Sequence, residues 1–150
     1  MNALSLKSPD ESGPRLALAA ETDIRRVAIA GYPRAGKTTL ARSCEPLGVW
    51  IRHTDDLVGR MAWSDASEEA SHWFEADGPF VIEGVATPRA LRKFLRRHPE
   101  GRPCDLVLWM GTPRVELTAG QRAMGKGALT VLREIEPELL ARGVRVEGLT

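Results

Sequence analysis

Cysteine and lysine are both scarce in this 150-residue chain, and other common signals are missing altogether. Cys44 and Cys104 are the only cysteines; neither has metal-ligand spacing or a Cys/His cluster around it. That excludes a zinc-stapled or disulfide-framed fold and reads as two reduced thiols in an intracellular protein. Excess charge of one sign is also absent: 21 Lys+Arg face 20 Asp+Glu, for a net charge of +1. A general attraction to nucleic acid is therefore not indicated, and any basic patch must be local. No apolar run approaches the roughly 20 residues that span a bilayer, so no membrane partner is expected. The N-terminus lacks a charged start followed by an apolar core, so no signal peptide is read and the expected address is the cytoplasm. His53, His72 and His98 are scattered without metal spacing and read as surface or packing residues. What remains is ordinary globular composition, 43% hydrophobic and 27% charged, enough for one domain with a real core.

Against that background one stretch stands out. Gly31-Tyr32-Pro33-Arg34-Ala35-Gly36-Lys37-Thr38 fits G-x-x-x-x-G-K-[ST], and it holds one of only four lysines against seventeen arginines. Val27-Ala28-Ile29-Ala30 precedes it as a buried-type strand, and Thr39-Leu40-Ala41-Arg42 follows as helix-forming sequence. Successive backbone N–H groups of such a loop cradle phosphate oxygens, and the following helix adds its positive N-terminal end. The pattern assigns nucleotide contacts to Gly31, Pro33, Arg34, Ala35, Gly36, Lys37, Thr38 and Thr39. Lys37 would reach the β- and γ-phosphates, and the Thr38 hydroxyl would ligate Mg²⁺.

The rest of the chain alternates strand and helix. Strands are expected at about 24–30, 49–52, 80–82, 106–110 and 144–146. Helices are expected at about 37–44, 66–76 (capped by Asp65, with Glu68 three residues on), 88–97 and 128–142, the last interrupted or kinked at Pro137. Residues 1–20 read as a flexible tail, with 16–20 an ambiguous apolar strand or helix, and 21–150 read as the domain. Such alternation implies a parallel sheet with helices on both faces, with ligands at the carboxyl ends of its strands. Trp50, Trp73 and Trp109 read as core residues, and Trp63 as a candidate contact on the acceptor side.

Polar groups gather after those strand ends. Asp55 and Asp56 follow the second strand; Asp55 is the candidate to take a proton from an acceptor, unless both are merely solvated turn residues. Glu83 ends the third strand and can hold a metal or its water, the alternative being an exposed strand-end charge; Gly84 beside it allows close approach. Arg89, Arg92, Lys93, Arg96 and Arg97 share one helical stripe, read mainly as a solvated face, with Arg89 placed to meet an anionic acceptor. Arg114, Arg122 and Lys126 lie among Gly111, Gly120, Gly125 and Gly127, which suits a cationic lid; the alternative is a helix already begun at Val115 and kinked by glycine.

Taken together, residues 31–39, the Thr54-Asp55-Asp56-Leu57 segment and Glu83 with Pro88-Arg89 resemble the small P-loop kinases of nucleotides, nucleosides and other metabolites. The segment after the second strand is similar to that of polynucleotide kinases and zeta-toxin-like enzymes. Glu83-Gly84 with Pro88-Arg89 is similar to the Asp-Gly-x-Pro-Arg segment of adenylate kinases, two residues longer. The resemblance implies a three-layer α/β/α P-loop NTPase fold with a five-stranded, mostly parallel sheet, ATP or another nucleoside triphosphate with Mg²⁺, and phosphoryl transfer to a hydroxyl or phosphate acceptor. In that reading Lys37, Asp55 and Arg122 are catalytic, Thr38 and Glu83 serve the metal, and Asp55, Arg89, Arg114 and Lys126 face the acceptor. The competing expectation is a nucleotide-dependent switch or accessory ATPase without an acceptor.

Overall fold

A computed structural model describes residues 3–7, 15–19 and 24–148. Strands β1 (Ala3–Lys7) and β2 (Arg15–Ala19) pair antiparallel, with Leu4 opposite Leu18 and Leu6 opposite Leu16. Part of the expected tail is therefore a strand pair. Both runs alternate leucine with smaller or polar residues at period two, a strand signal diluted by the Ser-, Pro- and Gly-containing sequence around it. Residues 8–14 and 20–23 of that stretch lie outside the described residues.

Alternation follows: β3 (Arg26–Gly31), α1 (Lys37–Arg42), β4 (Trp50–His53), α2 (Trp63–Trp73), β5 (Phe80–Glu83), α3 (Thr87–Arg97), β6 (Leu106–Met110), α4 (Ala119–Ala141) and β7 (Arg145–Glu147). The five later strands form one sheet in the order β4-β5-β3-β6-β7, and every pairing is parallel. β3 sits at the centre because Val27, Ala28, Ile29 and Ala30 are all fully buried, as a strand covered on both faces requires. Its side chains split by period two. Ala28 and Ala30 join Ile82, Val107 and Trp109 under α2, α3 and α4; Val27 and Ile29 join Val81, Leu106 and Leu108 under Leu40 and Ala41 of α1. This is the three-layer arrangement.

Three local expectations are corrected. α2 starts at Trp63, not after Asp65; Ala62 is its N-cap residue without a side-chain bond, and Asp65 lies in the first turn, where its charge favours the helix dipole. The segment expected as a glycine-rich lid up to Gly127 is helical from Ala119. Thr118 and Gln121 bond reciprocally as a capping box at 3.1 and 3.0 Å, which starts α4 despite its glycines. Gly125 is there for contact: a Cβ on it would fall on the ring of Tyr32. α4 also continues through Pro137, so the helix is not interrupted there, although the proline has no N–H to bond back. It ends in a Schellman turn, with Val144 N–H on Leu139 O at 2.9 Å and Gly143 N–H on Leu140 O at 3.0 Å.

The basic stripe of α3 is largely neutralised within the molecule. Arg92 pairs with Glu134 of α4 at 2.8 Å, Lys93 with Glu68 of α2 at 3.8 Å, and Arg97 with Glu68 and Glu75 at 3.2 and 3.0 Å. Exposed pairs contribute at most about 1 kcal/mol each, so they align the three helices more than they hold them. Ala90, Leu91, Phe94 and Leu95 bury the opposite face. No helix among the described residues is long and apolar enough to cross a membrane.

Candidate active site

The loop between β3 and α1 wraps the carboxyl end of the central strand. Gly36 has φ 94°, a left-handed turn that glycine adopts without strain, and Arg34 is the one non-glycine residue with positive φ among the described residues, at 62°. Arg34 O accepts from Arg114 N at 2.9 Å, so the segment after β6 is fastened to this loop. The Arg114 guanidinium lies over the loop as well; a Cβ on Gly36 would come within 2.7 Å of it. Lys37 is only 6% exposed, and its ammonium donates to Tyr32 O at 2.6 Å. Burial lowers its pKa, while the Glu83 and Asp55 carboxylates pull it back up. Both carboxylates thus lie within electrostatic reach of the loop's lysine.

Glu83 ends β5 and is 1% exposed. Its Oε2 accepts from Thr38 Oγ1 at 2.9 Å and is 2.7 Å from His53 Nδ1, while Oε1 is buried without a partner among the described residues. Gly84 makes the junction tight: a Cβ there would fall on Thr54 Oγ1, so β4 and β5 can end side by side only with glycine at this position. A cleft of about 560 Å³ opens over these groups. Of the residues expected in the site, Pro33, Arg34, Gly36, Lys37, Thr38, Thr39, Asp55, Glu83 and Arg114 line it. Gly31 and Ala35 belong to the same loop without lining the cleft. Asp55, in the 3-10 turn Thr54–Asp56, faces the cleft; Asp56 does not line it.

The remaining cations lie elsewhere. Arg89 begins α3, half-buried, 5.3 Å from the Trp63 ring centroid and close to Gly127 of α4. Burial, then repulsion from Arg92, lowers its pKa, and no carboxylate pairs with it among the described residues. Arg122 is spent on the turn before α4, donating to Leu117 O at 2.6 Å, and Lys126 is exposed on the helix; neither lines the cleft. Placing them in a lid required a loop where the Thr118–Gln121 box makes a helix. Sequence reasoning missed His53, Gln121 and Met124, the last two lining the cleft from α4. His53 was legible by the same strand-end logic that found Asp55 two residues later.

The donor set suits a hard divalent cation. Thr38 Oγ1 donates a hydrogen bond to Glu83, which leaves its lone pairs free for a cation, and the unpaired Glu83 oxygen is a second oxygen ligand. No group of three or more His, Cys, Asp or Glu that could hold a metal occurs among the described residues. Mg²⁺ needs none, since one or two protein oxygens plus substrate phosphates suffice.

No protein-family model matches the chain, and no curated protein matches it. Solved structures match in fold. A shikimate kinase from Acinetobacter baumannii in complex with shikimate covers 85% of this chain and 85% of its own, with a TM-score of 0.50 at 13% identity. A shikimate kinase from Bacteroides thetaiotaomicron covers 82% of this chain and 85% of its own, with a TM-score of 0.43 at 15% identity. By the first of these likenesses, which concerns the fold alone, this chain has the α/β fold of small P-loop kinases.

Proposed function

We propose that the protein is an ATP-dependent kinase that moves the γ-phosphoryl group to a small-molecule or nucleotide acceptor. The observation that carries this reading is the convergence of Lys37, Thr38, Glu83 and Asp55 on one cleft over the phosphate loop. The active unit would be residues 21–150, at work in the cytoplasm. In phosphoryl transfer, positioning and charge stabilisation supply most of the catalysis. The loop amides would cradle the β- and γ-phosphates, and Lys37 would leave Tyr32 O to reach them. Arg114, already over Gly36, would add a second cation. Bound Mg²⁺, held through Thr38 and Glu83, would withdraw charge from the phosphate oxygens. Asp55 would accept the proton as the acceptor oxygen bonds to the γ-phosphorus and the bond to the bridging oxygen breaks. Arg89, unpaired and walled by Trp63, would meet an anionic part of the acceptor. The reading requires neither Arg122 nor Lys126, whose roles would need α4 to move over the cleft. Among small P-loop kinases, the segment after β4 favours relatives of the polynucleotide and zeta-toxin-like kinases.

Labelled ATP with Mg²⁺, offered pools of nucleosides, nucleotides, sugars and polynucleotide ends, tests this. Transfer to one pool, lost in Asp55→Asn, is the expected result. Turnover of ATP without an acceptor, unchanged in Asp55→Asn, would contradict it and favour a nucleotide-dependent switch.

A further inference from the structure

The phosphate loop and the acceptor-side strand meet at a single atom, Glu83 Oε2. Thr38 Oγ1 reaches it from the start of α1 at 2.9 Å, and His53 Nδ1 reaches it from the end of β4 at 2.7 Å. A carboxylate oxygen that already accepts from Thr38 pairs with the imidazole when the ring carries its proton on Nδ1 and donates. Two donors therefore occupy one oxygen, while Oε1, on the same 1%-exposed side chain, has none among the described residues. A buried carboxylate oxygen left unpaired is costly, and in native proteins such an atom marks a water, an ion or a catalytic task. Glu83 lines the cleft, so the unpaired oxygen belongs to a side chain that the nucleotide site already uses.

We infer that His53 is a positioning residue for the divalent cation: by holding Glu83 Oε2 together with Thr38, it fixes the carboxylate's rotation and reserves Oε1 for the metal or its water. The inference rests on the nucleotide site proposed above. Its physical basis is general, since partners that orient a ligating carboxylate tune metal affinity without touching the metal. His53 also ties this task to the acceptor side, because Asp55 follows it by two residues in the turn Thr54–Asp56. A rotation of Glu83 would thus be resisted from both halves of the cleft.

The imidazole Nδ1 is two bonds from Cβ, the same reach as the amide nitrogen of asparagine. His53→Asn keeps a donor at that reach; His53→Leu removes it at similar bulk. ATP affinity is measured by calorimetry in EDTA and in Mn²⁺ for both variants and the wild type. In His53→Leu we expect the tightening of ATP binding by Mn²⁺ to fall about tenfold, with affinity in EDTA held within about twofold, while His53→Asn stays within about threefold of wild type throughout. Should His53→Leu not fold, His53→Gln, whose amide sits one bond further out, takes its place with the same expectation. Unchanged tightening in the donor-less variant overturns the inference, as does an equal loss in EDTA and Mn²⁺, which marks a merely structural histidine. A wild-type protein that binds no ATP in either condition overturns the nucleotide site itself, a result distinct from both.

Discussion

The two sides of the cleft are built in different ways. On the phosphate side, Gly31 to Thr38 form one continuous stretch whose backbone makes the site, with Lys37 and Thr38 locked onto Tyr32 O and Glu83. On the side proposed for the acceptor, Asp55, Arg89 and Trp63 come from a 3-10 turn and the starts of two helices, and only Asp55 lines the cleft. The first side is set by the backbone, and its lysine and threonine are hydrogen-bonded within the chain. The second is a set of exposed or half-buried side chains, with no carboxylate paired to Arg89 among the described residues. In the proposed reading, the first would bind a single ligand class and the second could vary with the acceptor while the fold stays the same.

The largest effect that sharpens this contrast is expected at Lys37. Lys37→Ala removes the one ammonium of the loop and should lower phosphoryl transfer by about a hundredfold or more, measured as single-turnover release from labelled ATP. Gly84→Ala attacks the joint between the two sides, since its Cβ would fall on Thr54 Oγ1 and its φ of 139° disfavours a side chain. A loss of roughly 1–3 kcal/mol in denaturant unfolding is expected; an unchanged midpoint would show that β4 and β5 can part at no cost. Arg89→Ala should raise the acceptor KM by about tenfold or more, the worth of a charged hydrogen bond, and leave the ATP KM unchanged. A change in the ATP KM instead would erase the division between the sides.

The smallest effect lies far from the cleft and serves as a control. At the carboxyl ends of α2 and α3, Glu75 accepts from His98 and His72 and pairs with Arg97. The bond from His98, then that from His72, lowers its pKa from the usual 4.5 to about 2. A depressed carboxylate contributes stability above its unfolded pKa and loses it as pH falls through the folded one. The Tm difference between wild type and Glu75→Gln should therefore hold above pH 4.5 for as long as the histidine partners stay protonated, and vanish as pH falls towards 2, with transfer activity at neutral pH unchanged in the variant.

The same contrast explains what was legible beforehand. That Gly36, Lys37, Thr38 and Glu83 lie together was legible because the loop is local and Glu83 ends the strand beside β3. The parallel sheet was legible because buried runs such as Val27–Ala30 and Leu106–Met110 recur at helix-length intervals. Arg122 and Lys126 were misplaced because glycines outweighed the Thr118–Gln121 capping pair, and the start of α2 was misplaced because Asp65 resembles a cap. His53 was passed over as a lone histidine. Its partner is thirty residues away in sequence, and only the β4–β5 pairing, with His53 opposite Glu83, joins them. The β1–β2 pair was hidden for a related reason: alternation over five residues is a weak signal until a second strand answers it.

In the proposed function one cleft holds two separable tasks, nucleotide binding through the phosphate loop and proton acceptance through Asp55. ATP affinity, measured by calorimetry with Mg²⁺ on wild type, Lys37→Ala and Asp55→Asn, tests it most directly. Lys37→Ala is expected to lose ATP binding while Asp55→Asn keeps it within about twofold, since a base that acts on the acceptor contributes to the transition state and not to nucleotide binding. Equal loss in the two variants, or tight binding retained without Lys37, would contradict it.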